Sequence, residues 1–203
     1  MQLLFDGPEG AAHRIALAHG AGAPMDDLFM TAIATGLAAR GLRVARFEFP
    51  YMAARRRGVR KGPDRAPVLL ATWREAIEQL GGARDLVVGG KSLGGRMASL
   101  VADEAGARGL VCLGYPFHPP GKSEQLRTAH LAALRTPALI VQGTRDPFGT
   151  PDEVAGYALS PSIRVHWIAD GDHSLAPRKT SGRTKREALE EAIGAVAAFV
   201  AAL

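Results

Sequence analysis

Short apolar runs alternate with helical patterns along almost the whole chain, and this alternation limits the possible folds more than any other feature. Runs that are apolar at nearly every residue are typical of parallel strands covered on both faces. Their alternation with helices predicts a doubly wound α/β fold, with a mostly parallel sheet and helices on both faces. The predicted strands cover residues 14–19, 42–49, 85–89, 109–114, 137–142 and 162–168.

Helical patterns fill most of the intervals between these strands. Asp26 and Asp27 can cap a helix that runs to about Arg40 and ends at Gly41. A polar, basic loop is predicted after Pro50. The remaining predicted helices cover residues 67–80, 92–104, 123–134, 151–159 and 184–203. Because neither an internal repeat nor a linker is visible, we expect a single domain over residues 1–203.

The composition agrees with a globular protein. Of the 203 residues, 47% are hydrophobic and 22% are charged, which argues against a disordered chain. The single cysteine, Cys112, excludes a disulfide within the chain, and its place in a strand predicts a small core residue. The N-terminus lacks a signal-peptide pattern, and the longest apolar run, residues 192–203, is too short to span a bilayer. We therefore expect a cytoplasmic protein without a membrane span.

The sequence GKSLG at residues 90–94 lies between a predicted strand and a predicted helix. This Gly-x-Ser-x-Gly pattern is typical of a nucleophile elbow, in which a strained turn projects the serine, here Ser92. Larger side chains at the two glycines would collide with the neighbouring strand and helix. The alternative is a glycine-rich helix start with Ser92 as its N-cap. A phosphate-binding P-loop is set aside because Asp85 stands where that motif requires glycine.

A nucleophilic serine needs a base and a group that orients the base. Asp146 and His173 each follow a later predicted strand, in the chain order serine, acid, histidine. In such a sheet, the active site lies beyond the carboxyl ends of the strands. Asp146 alone would be interpreted as a turn residue, and Asp170 or Asp172 could supply the acid instead. The joint placement favours Ser92, Asp146 and His173 as a catalytic triad.

Attack on a carbonyl creates an oxyanion that backbone N–H groups must stabilise. The N–H of Leu93, the residue after the serine, is the first predicted donor. The HGAG sequence at residues 19–22 supplies the second, which we assign to Ala21. Gly22 is the alternative donor and a candidate substrate contact. A glycine-rich loop without this role is the other interpretation.

The segment after the Cys112 strand carries Arg127 and His130, which could line the pocket or hold the loop. We treat both as candidate substrate-binding residues. We expect His118, which precedes two prolines, to hold the loop. The site needs neither a metal nor an organic cofactor for this chemistry.

Two basic clusters follow predicted strands, at residues 55–65 and 178–186, and the formal net charge is +5. Since both clusters should lie beside the active site, they suggest a cationic rim that attracts an anionic substrate. Solvated, arginine-rich loops are an equally open interpretation. Nucleic-acid binding is not favoured, because no aromatic residues are interleaved with these charges.

Several motifs together resemble a known family. They are HGAGAPMDD, FEFPYM, GGKSLGGRMAS, GYPFHPPGKSEQLR with a following HL, VQGTRDPFG and GDHSL, from about His19 to the C-terminus. The chain resembles small α/β-hydrolase-like proteins related to a testis-expressed protein, a group that includes the hydrolase-like subunit of a histone-acetyltransferase complex. More distantly it resembles dienelactone hydrolases, whose nucleophile is a cysteine where this chain has Ser92. The family often has methionine at Leu93.

The resemblance implies an α/β-hydrolase fold without a large cap domain and with the triad named above. The expected function is hydrolysis of a small ester or thioester through an acyl-enzyme on Ser92, and activity should fall at acidic pH as His173 is protonated. Two alternatives remain. The chain could be a non-catalytic interaction module that retains the fold, or it could bind anionic surfaces or nucleic acid through its arginine-rich loops.

Overall fold

Seven strands and six helices alternate along the chain in a computed structural model that describes all residues, 1–203. The strands are β1 (Leu3–Asp6), β2 (Arg14–Ala18), β3 (Arg43–Phe47), β4 (Leu86–Lys91), β5 (Gly109–Leu113), β6 (Ala138–Gly143) and β7 (Ile163–Ile168). The helices are α1 (Leu28–Ala38), α2 (Pro50–Arg56), α3 (Ala66–Gln79), α4 (Leu93–Ala105), α5 (Pro151–Ala155) and α6 (Lys185–Ala201). None of the helices is both long and apolar enough to cross a membrane.

The strands form one sheet in the order β1-β3-β2-β4-β5-β6-β7. Only β1 is antiparallel, to β3, and every other neighbouring pair is parallel. Ala18 at the end of β2 pairs with Gly90, which in turn pairs with Cys112. The carboxyl ends of β2, β4, β5, β6 and β7 therefore meet at one edge of the sheet. The predicted mostly parallel, doubly wound α/β sheet is confirmed.

Each face of the sheet is covered by its own helices and its own apolar core. On one face α3 and α4 pack on the sheet, and Trp73 meets Phe47 edge to face with ring centroids 4.7 Å apart. On the other face α1 and α6 come close enough that a Cβ at Gly36 would lie 2.5 Å from the Ile193 side chain. Burial of each large apolar side chain contributes about 1.5–3 kcal/mol, so the cores on both faces hold the helices against the sheet.

Three elements differ from the sequence-based expectation. The prediction of a helix over residues 123–134 is wrong, because only a 3₁₀ turn, Leu131–Ala133, forms there. Leu126 is exposed, and the Arg127 N–H donates to the Phe117 carbonyl, so the segment folds back on the preceding loop instead of presenting one apolar face. The structure also contains β1 and α2, which were not predicted.

All of α2 except its first residue lies in the segment predicted as a basic loop, and the start of the helix has a local cause. Pro50 occupies the first turn, where its missing N–H costs nothing, and Tyr51 and Met52 are buried. Cys112 is fully buried with its Sγ 3.5 Å from the Gly95 carbonyl, and this burial raises the pKa of the thiol. It is the small core residue that was predicted.

A buried arginine ties the edge of the sheet to the start of α1. Arg46 in β3 is 3% exposed and donates from Nη2 to Asp6 Oδ2 of β1 at 2.8 Å. Its Nη1 donates to the Met25 carbonyl at 2.8 Å and to Thr31 Oγ1 at 3.0 Å. These contacts join β1, β3 and the segment leading into α1, which also carries part of the site described below.

We expect Arg46→Met to lower the free energy of unfolding by about 3 kcal/mol, because it leaves the Asp6 carboxylate without its charged partner and two further acceptors unpaired. Urea unfolding followed by circular dichroism measures the change. Arg84→Met, at an exposed position, is the matched control. A loss no larger than that of the control would contradict this role for Arg46.

Candidate functional site

The turn between β4 and α4 holds Ser92 in a conformation that non-glycine residues rarely adopt. Its φ and ψ are 49° and −111°, and its N–H donates to the Leu113 carbonyl at 3.0 Å. A Cβ at Gly90 would lie 2.2 Å from the Ala18 carbonyl oxygen, and one at Gly94 would lie 2.3 Å from the same atom. Both glycines are therefore required because the turn presses against β2, as the motif predicts.

Three predicted side chains come together beyond the carboxyl ends of the strands. His173 Nε2 lies 2.9 Å from Ser92 Oγ, and His173 Nδ1 lies 2.8 Å from Asp146 Oδ2. These distances are those of hydrogen bonds, so one imidazole joins the hydroxyl to the carboxylate. The residues come from the β4–α4 turn, the loop after β6 and the loop after β7. The structure thus brings Ser92, Asp146 and His173 together.

Asp146 is fully buried, and every oxygen of its carboxylate has a partner. Besides His173, its Oδ2 accepts a bond from Gln142 Nε2 at 2.9 Å, and its Oδ1 accepts the Phe148 N–H at 2.9 Å. Gln142 is itself held by Tyr115, whose N–H donates to Gln142 Oε1 at 2.7 Å. Sequence reasoning missed Gln142, although a glutamine in an otherwise apolar, buried strand was a visible signal.

The other two candidate acids serve the loop instead. The Asp172 carboxylate accepts the N–H groups of Ser174 and Ala176 at 2.7 and 3.0 Å. The Asp170 carboxylate accepts the Arg178 N–H at 2.7 Å, and Arg178 lowers the pKa of that carboxyl. Neither group bonds to His173. Of the three candidates, only Asp146 contacts the imidazole.

The loop after β2 is held beside Ser92 by a buried histidine. His19 is 0% exposed, its Nδ1 donates to the Gly20 carbonyl at 2.6 Å, and its Nε2 accepts the Phe49 N–H at 3.1 Å. These two bonds define a neutral ring, and burial lowers its pKa. Tyr51 Oη donates to the Ala21 carbonyl at 3.2 Å, and burial raises the Tyr51 pKa to about 12. Ala21 is thereby fixed at the edge of the site.

The first predicted oxyanion donor, Leu93, is the first residue of α4. The first N–H groups of a helix have no acceptor within the helix, so this N–H is available to an oxygen atom beside Ser92. Its role remains a prediction, as does that of Ala21.

A cavity of about 320 Å³ opens next to Ser92. Gly22 lines it, while its substrate contact stays a prediction, and Asp27 and Lys91 bring one charge of each sign. Arg127 and His130 are not among its lining residues. The other lining residues are Gly20, Ala21, Ala23, Phe29, Ser92, Phe148, His173 and Ser174. No group of three or more His, Cys, Asp or Glu side chains is placed to hold a metal ion.

The basic loops carry less free charge than their composition indicates. Arg57 and Arg60 are exposed without a carboxylate partner, whereas several neighbours are paired. The ion pairs in the two clusters are Arg56–Glu48, Lys61–Asp64, Arg178–Asp170 and Arg183–Glu191.

His118, which was predicted to hold its loop, is 2% exposed, and its Nδ1 lies 2.9 Å from the Pro119 carbonyl oxygen.

Lys91 is a buried ammonium group at the wall of the cavity. Its Nζ donates to the His173 carbonyl and lies 5.7 Å from the centre of the Phe29 ring. Burial lowers its pKa from 10.5 to about 8, although nearby carboxylates oppose the shift. Because the folded chain releases this proton at a lower pH than the unfolded chain does, the cost of burying the Lys91 charge falls, and the free energy of unfolding rises, between about pH 8 and pH 10.5.

We expect Lys91 to titrate near pH 8, because burial disfavours its charged form. NMR of protein labelled with ¹³C at the lysine ε-carbons measures the titration, and Lys91→Met assigns the signal. A Lys91 signal with a midpoint near 10.5, the ordinary lysine value, would refute the shift.

Comparisons with known proteins extend over nearly the whole chain. The model of a family described as the alpha/beta hydrolase domain matches residues 11–201. A carboxymethylenebutenolidase from Pseudomonas putida is 32% identical over 97 residues, which are 46% of this chain and 39% of that enzyme. The chain therefore matches well under half the length of this curated relative.

Solved structures share the fold at low sequence identity. A dienelactone hydrolase from Anabaena variabilis has a TM-score of 0.72 and 20% identity, over 97% of this chain and 89% of that one. A Xanthomonas campestris protein described as an α/β serine hydrolase without a lid has a TM-score of 0.67 and 18% identity, over 98% and 87%. Here too no large cap domain covers the carboxyl ends of the strands.

The comparisons confirm the broader part of the resemblance drawn from the sequence, including the likeness to dienelactone hydrolases. The narrower likeness to a testis-expressed protein and to a histone-acetyltransferase subunit stays a prediction. The fold, the turn at Ser92 and the match over residues 11–201 lead to one conclusion. This chain belongs to the α/β-hydrolase domain family.

Proposed function

We propose that this protein is a serine hydrolase that cleaves a small ester or thioester, with Ser92 as nucleophile, His173 as general base and Asp146 as the group that orients the base. The observation that carries the proposal is the chain of hydrogen bonds of 2.9 Å and 2.8 Å that joins the three side chains. A buried carboxylate can only accept, so His173 must donate to Asp146 from Nδ1. Nε2 is then free to accept the Ser92 proton.

The reaction has two halves. Ser92 Oγ attacks the acyl carbonyl while its proton moves to His173 Nε2, and the Asp146 carboxylate stabilises the imidazolium. The tetrahedral intermediate collapses when His173 gives the proton to the departing alcohol or thiol. A water molecule, deprotonated by the same imidazole, then attacks the acyl-enzyme and releases the acid and free Ser92.

The negative oxygen of each intermediate needs donors that are already in place. We assign this role to the N–H groups of Leu93 and Ala21. The free N-terminus of α4 supports the first, and the His19 and Tyr51 contacts that hold the HGAG loop support the second. Since these donors are set by the backbone, the change from methionine to leucine at position 93 does not alter them.

The names of the relatives support an acyl substrate of modest size. The carboxymethylenebutenolidase and the dienelactone hydrolase are both named for lactone cleavage. A cavity of about 320 Å³ suits a ligand of that scale. The intact Ser92–His173–Asp146 contacts argue against the alternative of a non-catalytic module, which has no need of an activated serine.

We expect a fluorophosphonate probe to add once to the protein, because the reagent reports a serine that a neighbouring base activates. Intact-mass spectrometry should show one adduct on the wild type and none on Ser92→Ala, with a rate reduced by about three orders of magnitude in His173→Ala. Ser174→Ala, at a cavity-lining serine outside the hydrogen-bonded set, is the matched control. A folded wild type that forms no adduct would instead support a non-catalytic module.

Asp146→Asn tests the orienting role separately from the nucleophile. An amide can donate to His173 Nδ1, which moves the ring proton to Nε2 and removes the base that faces Ser92. We expect kcat for an aryl ester to fall by about three to four orders of magnitude with little change in KM. Thermal unfolding checks that the variant is folded. A folded variant that keeps a kcat within tenfold of the wild type would refute the assignment.

A further inference from the structure

One face of α4 carries an arginine directly behind the nucleophile. Arg96 and Ser99 lie on the same side of the helix, and Arg96 follows Ser92 by one turn, a rise of about 6 Å. Side chains in a helix lean toward its N-terminus, so the Arg96 guanidinium extends toward the end of α4 that begins at Ser92. Because α4 and α1 lie on different faces of the sheet, the Arg96 side chain is on the side of Ser92 away from α1.

The loop after β5 folds over this face and adds two more basic groups. Ser99 Oγ donates its only proton to the Arg96 carbonyl at 2.7 Å. His130 Nε2, 2.8 Å from the same Oγ, must therefore be the donor in that contact. Tyr115 Oη donates to the Arg127 carbonyl at 2.9 Å. These bonds fix the backbone and ring positions of the loop beside Arg96.

The charges in this cluster are not compensated. Arg96 Nε is buried without a hydrogen-bond partner, and neither the Arg96 nor the Arg127 guanidinium forms an ion pair, unlike Arg56, Arg178 and Arg183 of the basic loops. Burial, and then the charge of Arg96, lower the pKa of both Arg127 and His130. Both arginines remain partly accessible to solvent. Two guanidinium groups without an acidic acceptor, on segments that the Ser99–His130 contact joins, are an arrangement that a carboxylate or a phosphate would satisfy.

We propose that Arg96 and Arg127 form a binding subsite for an oxyacid group of the substrate, with His130 as the residue that positions the loop. The proposal rests on the proposed serine hydrolase function and names its substrate class. Such a substrate has a carboxylate or phosphate a few bonds from the scissile carbonyl, as in the half-ester of a short dicarboxylic acid. The anion supplies the acceptors that Arg96 lacks and relieves the repulsion between the two arginines.

Anion binding can be measured without any catalysis. Thermal unfolding is followed in sodium succinate, in sodium phosphate and in sodium chloride of equal ionic strength. We expect succinate or phosphate to raise the Tm of the wild type by about 2–4 °C relative to chloride. The larger of the two effects identifies the preferred oxyacid. The increment should vanish in Arg96→Gln and in Arg127→Gln and persist in Arg84→Gln, which removes one exposed charge at the other end of β4.

Hydrolysis of paired substrates tests whether this anion belongs to the substrate. For a succinate half-ester and a neutral ester of the same size and leaving group, we expect the ratio of kcat/KM, anionic over neutral, to fall by about tenfold to a hundredfold in either arginine variant. Arg84→Gln should leave the ratio unchanged. Arg60→Gln reports the exposed basic loop, and a fall there alone would assign selectivity to the loop and overturn the subsite.

The two proposals fail in different ways. If the wild type hydrolyses the neutral ester through Ser92 but shows neither the Tm increment nor the change in ratio, the subsite is refuted and the hydrolase stands. If the increment is present and lost in both variants while Ser92 is unreactive, the anion site stands and the hydrolase is refuted.

Discussion

The close approach of the β4–α4 turn to β2 is the constraint on which the rest of the site depends. The Ala18 carbonyl would lie within 2.2–2.3 Å of a Cβ at Gly90 or Gly94, so this turn exists only with glycines there. Ser92 in this turn has a φ of 49°, and its hydroxyl lies 2.9 Å from His173 Nε2. The turn also leaves the N–H of Leu93 at an open helix end. One backbone contact thus positions both the proposed nucleophile and a proposed donor for the oxygen that its attack would create.

The hydrogen bonds of the buried polar groups around this turn fix a single neutral tautomer for both His173 and His19. The Asp146 carboxylate accepts hydrogen bonds from Gln142, Phe148 and His173. Because His173 donates from Nδ1, its unprotonated Nε2 faces Ser92. His19 is fixed in the same way by the Gly20 carbonyl and the Phe49 N–H. Because an unpaired group in such surroundings costs about 1–3 kcal/mol, these networks oppose displacement of the loops that carry the site.

The sequence predicted most of this arrangement because the decisive residues follow strands, and strand ends converge whatever the details of the loops. Ser92, Asp146 and His173 could be chosen from their places in the chain alone. Gln142 was visible as a polar residue in an apolar strand, but its role could not be predicted, since that role depends on a loop that returns to β6. The segment around Arg127 was mispredicted as a helix because spacing cannot show that its N–H groups bond elsewhere. β1 is a four-residue edge strand, too short for alternation to reveal it.

Which charged side chains are paired and which stay unpaired also depends on how the loops fold. Counting charges along the chain gave two basic clusters near the site, yet folding places Glu48, Asp170 and Glu191 against them and neutralises much of their field. Arg96 and Arg127 are not part of any basic cluster in the sequence, and neither has an acidic partner in the fold. Partly buried charges without a partner act in a lower effective dielectric than an exposed loop does and are less screened by salt. In the proposed subsite, selectivity for anions would therefore follow from which arginines lack partners, and not from how many arginines lie nearby.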